Sequence, residues 1–196
     1  MKPPRTSHSR RRFLVGMGIT LLLPVGESWA APSCAVLPPG LRRRIRVGRA
    51  DFARWRNIVA HHSATLQGNA AMFDAHHRKV HRMENGLAYH FVIGNGRGSG
   101  DGRIEVGPRW TLQLQGGHVR SERFNQDSIG ICLVGNFEED VPTPRQLAAF
   151  AGLVEYLGRH VLLKRPRFLL HREIPGERTL CPGRAFPAKR MHRMFG

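Results

Sequence analysis

Apolar runs of strand length and apolar stripes of helical spacing alternate along this chain. Asn57-Ile58-Val59-Ala60-His61 is apolar up to its last residue and predicts a short buried strand. Leu87 to Ile93, rich in aromatic and β-branched residues, predicts a second strand. Arg103 to Val106 predicts a third. Ser128-Ile129-Gly130-Ile131-Cys132-Leu133-Val134 has the strongest strand pattern, and its near-continuous apolar character predicts a central strand buried on both faces. Phe168-Leu169-Leu170 predicts a short strand that leads into His171.

Helical signals lie between the strands. Asn69 to about Met83 predicts a helix with Asn69 as its N-cap. Thr143, Pro144 and Gln146 supply a cap, a first-turn proline and a capping box. Leu147, Phe150, Ala151, Val154 and Leu157 then line one face of the helix they open. A last helix is predicted after Pro187. The glycine-rich stretch from Gly94 to Gly102 is followed by a strand rather than a helix, so it predicts a hairpin loop and not a dinucleotide fingerprint. The alternation predicts an α/β fold: a single domain with a central mixed β-sheet flanked by helices.

Charge and the chain's first residues add to this picture. Lys and Arg total 31 against 14 acids, a formal net charge of +17 over 196 residues. Such a charge favours anionic partners without choosing among nucleic acid, membrane surface and acidic polymer. Residues 1–30 read as a signal peptide: Lys2, Arg5 and Arg10-Arg11-Arg12, an apolar stretch from Phe13 to about Val25, then Ser28-Trp29-Ala30. The apolar stretch is too short to span a bilayer, so no transmembrane span is expected in the mature protein. Ser9-Arg10-Arg11-Arg12-Phe13-Leu14 resembles a twin-arginine export signal, which predicts a periplasmic, envelope or extracellular location. Residues 31–52 read as a basic surface lead-in, and residues 53–196 as the functional domain. Cys34, Cys132 and Cys181 are too few for a disulfide framework, and the residues before Cys34 make a poor lipidation signal.

Three polar side chains fall where a core prefers apolar ones. His61 and His171 end predicted strands, and Cys181 lies ten residues after His171. Two imidazoles and a thiolate suit zinc, and three protein ligands leave a fourth position open, as in catalytic sites. Residue chemistry alone also admits two surface histidines and an inert thiol. Cys132, inside the central strand, reads as a core thiol. His77 and His81 lack an acidic partner and read as a solvated helix face. Glu84, Glu105 and Glu173 are candidate general bases.

Four segments carry a family resemblance. Ile58-Val59-Ala60-His61-His62-Ser63-Ala64-Thr65 is similar to the opening motif of the type-2 N-acetylmuramoyl-L-alanine amidases, the family of bacteriophage T7 lysozyme and the peptidoglycan recognition proteins. Leu87-Ala88-Tyr89-His90-Phe91-Val92-Ile93 resembles its second motif. Gly116-Gly117-His118, Asn125 and the segment from Ser128 to Asn136 resemble its third. His171-Arg172-Glu173 with Thr179-Leu180-Cys181-Pro182-Gly183 resembles its last. The motifs occur in order across residues 57 to 187.

This resemblance implies a zinc hydrolase that cleaves the amide between the lactyl group of N-acetylmuramic acid and L-alanine. It implies His61, rather than His62, as the first zinc ligand, with His171 and Cys181 completing the set. Family members with Ser at the last position bind the wall without cutting it, so Cys181 points to a competent enzyme. The alternative is a non-catalytic peptidoglycan-binding protein on the same fold. Tyr89 and Thr179 take the family's catalytic positions, and His118 and Asn125 fall where side chains either face the substrate or hold structure. The ten residues from His171 to Cys181 exceed the corresponding gap in the phage enzyme, a departure that bears on Thr179. Peptidoglycan or soluble muropeptides are the expected partners of a monomeric protein. Nucleic acid is not expected, because no recognition motif accompanies the charge.

Overall fold

The computed structural model describes Met1 and residues 37–46 and 52–196. The signal-like segment and Cys34 lie outside the described residues. Among those described, five strands form one sheet: β1 (Asn57–His62), β2 (Phe91–Ile93), β3 (Ile104–Val106), β4 (Ser128–Leu133) and β5 (Arg167–Leu170). Their order is β3-β2-β4-β1-β5. β4 runs parallel to both β1 and β2, β5 runs parallel to β1, and β3 closes the edge antiparallel to β2. The sheet is mixed and β4 is central and wholly buried, as its apolar run predicts.

Strand alternation divides the residues between two unlike faces. Ile58, Ala60, Ile129, Ile131, Leu133, Phe168 and Leu170 join the main core with Phe150, Leu153 and Leu157 of α5 (Pro144–His160). Val59 and Leu169 pack instead with Val119 and Ile174. His61 lies in register with Cys132, and Cys132 with Val92, so these three share one row across the sheet. The first face is therefore continuous core, while the second carries polar groups at its centre.

The capping box of α5 forms as predicted: Gln146 N donates to Thr143 Oγ1, and Thr143 N donates to Gln146 Oε1. The buried Gln146 amide also donates to the carbonyls of Ile93 and Val134, tying the helix start to the ends of β2 and β4. The last helix, α6 (Ala188–Phe195), follows Pro187 as expected. The glycine-rich loop joins β2 to β3 as a hairpin.

Other expectations are corrected. β2 begins at Phe91 rather than Leu87, because the preceding backbone is committed elsewhere: Leu87 N donates to Asp74, Leu87 O accepts from Arg109, and Ala88 O accepts from Gly117 N. α2 (Ala70–Lys79) has the predicted Asn69 cap but ends before Met83, where Arg82 enters the left-handed region at φ 55°. The lead-in is not merely a surface segment. Pro39–Ile45 forms α1, with Leu37 and Ile45 buried in the main core and the Trp110 indole donating to the Ile45 carbonyl. Two short helices, α3 (Pro108–Thr111) and α4 (Glu122–Asp127), had no sequence expectation. No helix among the described residues is long and apolar enough to cross a membrane.

Candidate metal centre and catalytic site

The parallel strands β1 and β5 end side by side, and their carboxyl ends carry the candidate site. His61 is the fifth residue of β1, and His171 opens a single 3-10 turn (His171–Glu173) directly after β5. Cys181 comes back to them on the following loop. One donor atom from each of His61, His171 and Cys181 lies within 4.8 Å of the others. His61 Nδ1 is 3.7 Å from Cys181 Sγ. His62 takes the other direction: its Nδ1 accepts from Phe137 N, while its backbone N–H donates to Cys181 Sγ at 3.4 Å.

The local electrostatics favour neutral donors. Burial, reinforced by neighbouring imidazoles, pushes His61 well below the usual histidine range. His171 is lowered by burial, with Glu177 opposing. Burial pushes the Cys181 thiol up to about 12. Two imidazole lone pairs and a thiol that ionises only beside a cation match zinc's preference for N and S ligands.

His61 is held from behind. Its Nε2 lies 3.0 Å from His118 Nδ1, and His118 Nε2 lies 3.3 Å from the Ser128 carbonyl oxygen. A carbonyl only accepts, so His118 carries its proton on Nε2 and its Nδ1 accepts from His61 Nε2–H. That chain leaves the lone pair of His61 on Nδ1, the atom facing Cys181. His118 and Asn125 are both buried. Asn125 accepts from the N–H of His118 and Val119 and donates to the Val119 carbonyl, which fixes the loop carrying His118.

Gly116 and Gly130 let this ring fit. A Cβ on Gly130 would stand 2.4 Å from a His118 ring carbon, and one on Gly116 would stand 2.5 Å away. The ring is engaged at both nitrogens and has nowhere to move. Gly130→Ala is therefore expected to displace His118 and weaken zinc binding by about tenfold or more, as loss of a ligand's supporting partner does. Competition with a chromophoric chelator measures this, and wild-type affinity would contradict it.

Tyr89 packs beside the cluster, its ring centroid 5.3 Å from that of His61. Burial pushes its hydroxyl pKa up, so it remains a protonated donor. Cys132 is a buried thiol as expected, and it lies beside His61 in the register of β1 and β4. Thr179 Oγ1 accepts from Cys181 N at 3.1 Å and so holds the backbone of that residue. The candidate bases are engaged elsewhere: Glu105 with Ser99 and Ala70 N, Glu173 with Leu170 N and His192. Glu84 is exposed. The carboxylate that reaches the cluster is Glu177, 3.2 Å from His171 Nε2, which sequence reading missed. His77 and His81 do not share a helix face, because α2 ends at Lys79; His77 Nδ1 accepts from Ala88 N.

Buried neutral histidines make the fold acid-sensitive. Burial, with His81 and His76 adding to it, holds His77 at about 4, and burial holds His118 at about 3. In an unfolded chain both titrate near 6.5. Between those values the unfolded state binds more protons, so this stability is complete above about pH 6.5 and is lost as pH falls toward 4 and then 3. Melting of the chelator-treated protein should occur at lower temperature at pH 5 than at pH 7.5. An equal midpoint would contradict the burial.

Fold and site together define a mixed-sheet α/β domain with a His-His-Cys cluster at the carboxyl edge of its parallel strands. Residues 51–184 match the profile of the N-acetylmuramoyl-L-alanine amidase family Amidase_2, and the chain belongs to that family. It is 30% identical over 139 residues to a peptidoglycan-recognition protein of Drosophila simulans, covering 66% of this chain and 69% of that one. Mouse peptidoglycan recognition protein 1 is 30% identical over 133 residues, 64% of this chain and 68% of its own. Among solved structures, the N-acetylmuramoyl-L-alanine amidase LysC from Clostridium intestinale superposes with a TM-score of 0.60 at 27% identity. It covers 72% of this chain and 85% of its own.

Proposed function

We propose that this chain is an exported, zinc-dependent N-acetylmuramoyl-L-alanine amidase that hydrolyses the lactyl–L-alanine amide of peptidoglycan. The observation that carries the reading is the convergence of His61, His171 and Cys181 donor atoms within 4.8 Å. Family membership supports the substrate, and the amidase LysC from Clostridium intestinale supports the reaction class. A cysteine at the third ligand position favours catalysis over binding alone. The signal-like segment at residues 1–30 supports export.

His61, His171 and Cys181 would hold a zinc ion, which when bound would supply a Lewis acid for water and the scissile carbonyl. The chain's own residues do the rest. His118 and the Ser128 carbonyl fix the tautomer of His61. Thr179 holds the Cys181 backbone in place, and the family resemblance assigns it the position beside the reacting carbonyl. Tyr89, kept protonated by burial, donates a hydrogen bond to the oxygen that gains charge as the amide is attacked. Water adds to the carbonyl carbon, the C–N bond breaks, and the products are a lactyl carboxylate and a free alanine amine. The basic surface draws in stem-peptide carboxylates, an attraction that weakens with salt. The protein acts on this substrate as a monomer.

Metal analysis of the purified protein tests the reading. One zinc per chain, removed by a chelator together with the ability to release peptides from purified wall, is the expected result. Wall binding with neither zinc nor peptide release would identify a non-catalytic binder instead.

A further inference from the structure

The loop between His171 and Cys181 carries a carboxylate turned back toward the cluster. Ile174-Pro175-Gly176-Glu177 forms a tight turn in which Glu177 N donates to Ile174 O at 3.1 Å. Pro175 occupies the second position, and Gly176, at φ 86°, supplies the left-handed third position that a type II turn requires. The turn returns the Glu177 side chain into the protein, where it is only 4% exposed.

Both carboxylate oxygens have assignments there. Oε1 accepts from Arg120 N at 2.6 Å. Oε2 lies 3.2 Å from His171 Nε2. The approach to His171 is bent, and Nε2 makes no linear hydrogen bond to any group among the described residues. A buried carboxylate this close to a buried imidazole nitrogen constrains the ring through its charge.

We propose that Glu177 is a positioning residue for the metal centre, its buried carboxylate holding the His171 ring at the second ligand position. The inference rests on the zinc reading above. Each histidine of the cluster thus has a side chain behind it: His118 by a hydrogen bond to His61, Glu177 by charge beside His171. The two supports are also joined, since Arg120 lies two residues beyond His118 and its N–H is held by Glu177. One carboxylate thus links the Cys181 loop, the second ligand and the segment behind the first.

Zinc affinity of Glu177→Gln, measured by chelator competition against the wild type, tests this. Gln keeps the oxygen that accepts from Arg120 N and removes the charge facing His171. The expected result is affinity weakened about 10- to 100-fold, with the melting temperature of the metal-free protein unchanged. Glu177→Asp, which keeps the charge but withdraws it by one methylene, should recover part of the affinity; it also serves as the test if the Gln variant fails to fold. Wild-type zinc binding with both variants within twofold of it overturns this inference alone. A wild-type protein that binds no zinc overturns the zinc reading, and this inference with it.

Discussion

Cys181→Ala should leave a folded protein that releases no peptide from peptidoglycan and holds zinc more than about 100-fold less tightly than the wild type. Loss of a direct ligand must cost more than the 10- to 100-fold typical of a supporting partner. The side chain is buried but lies outside the main core cluster, so the fold does not depend on it. Its contacts are with the site: His61 Nδ1 at 3.7 Å and the His62 N–H at 3.4 Å. Circular dichroism should match the wild type, while zinc content falls to background. Full activity in this variant would remove Cys181 from the centre.

Tyr89→Phe separates chemistry from metal binding. The clustered donors come from His61, His171 and Cys181, so zinc should remain bound at wild-type affinity without the hydroxyl. Removing a donor aimed at developing charge costs about 10²–10³ in kcat. The expected signature is a fall of that size in kcat with unchanged zinc stoichiometry. A comparable loss of zinc would mean that Tyr89 shapes the site through its packing against His61 instead. An unchanged rate would leave it as a packing aromatic.

Much of the fold is legible in the chain because its strongest signals are local. The apolar run from Ser128 became the central strand, and Thr143, Pro144 and Gln146 formed the predicted start of α5. Leu87 to Tyr89 misled because Leu87 is buried against Val92, Val134 and the α2 residues Ala70 and Phe73 as a strand residue would be, while the segment's backbone groups are satisfied by Asp74, Arg109 and Gly117. Leu37 and Ile45 were hidden among prolines and arginines, a composition that reads as surface although two apolar residues anchor the segment.

The site divides in the same way. His61, His171 and Cys181 are brought together as the family resemblance implies. The groups behind them are matters of tertiary contact and left fainter traces. Gly130 interrupting a strong strand is a signal for close approach, and the approaching group is the His118 ring. The Pro175-Gly176 pair signals a turn, but not that the next side chain folds back onto His171.

Mass spectrometry of fragments released from purified peptidoglycan, with and without a chelator, tests the central claim most directly. The account predicts free stem peptides beginning with an L-alanine amine and glycan ending in unsubstituted lactyl carboxylates, produced only while zinc is available and restored when it is returned. Intact stem-linked glycan in every condition, or cleavage that persists at full rate in excess chelator, would contradict it.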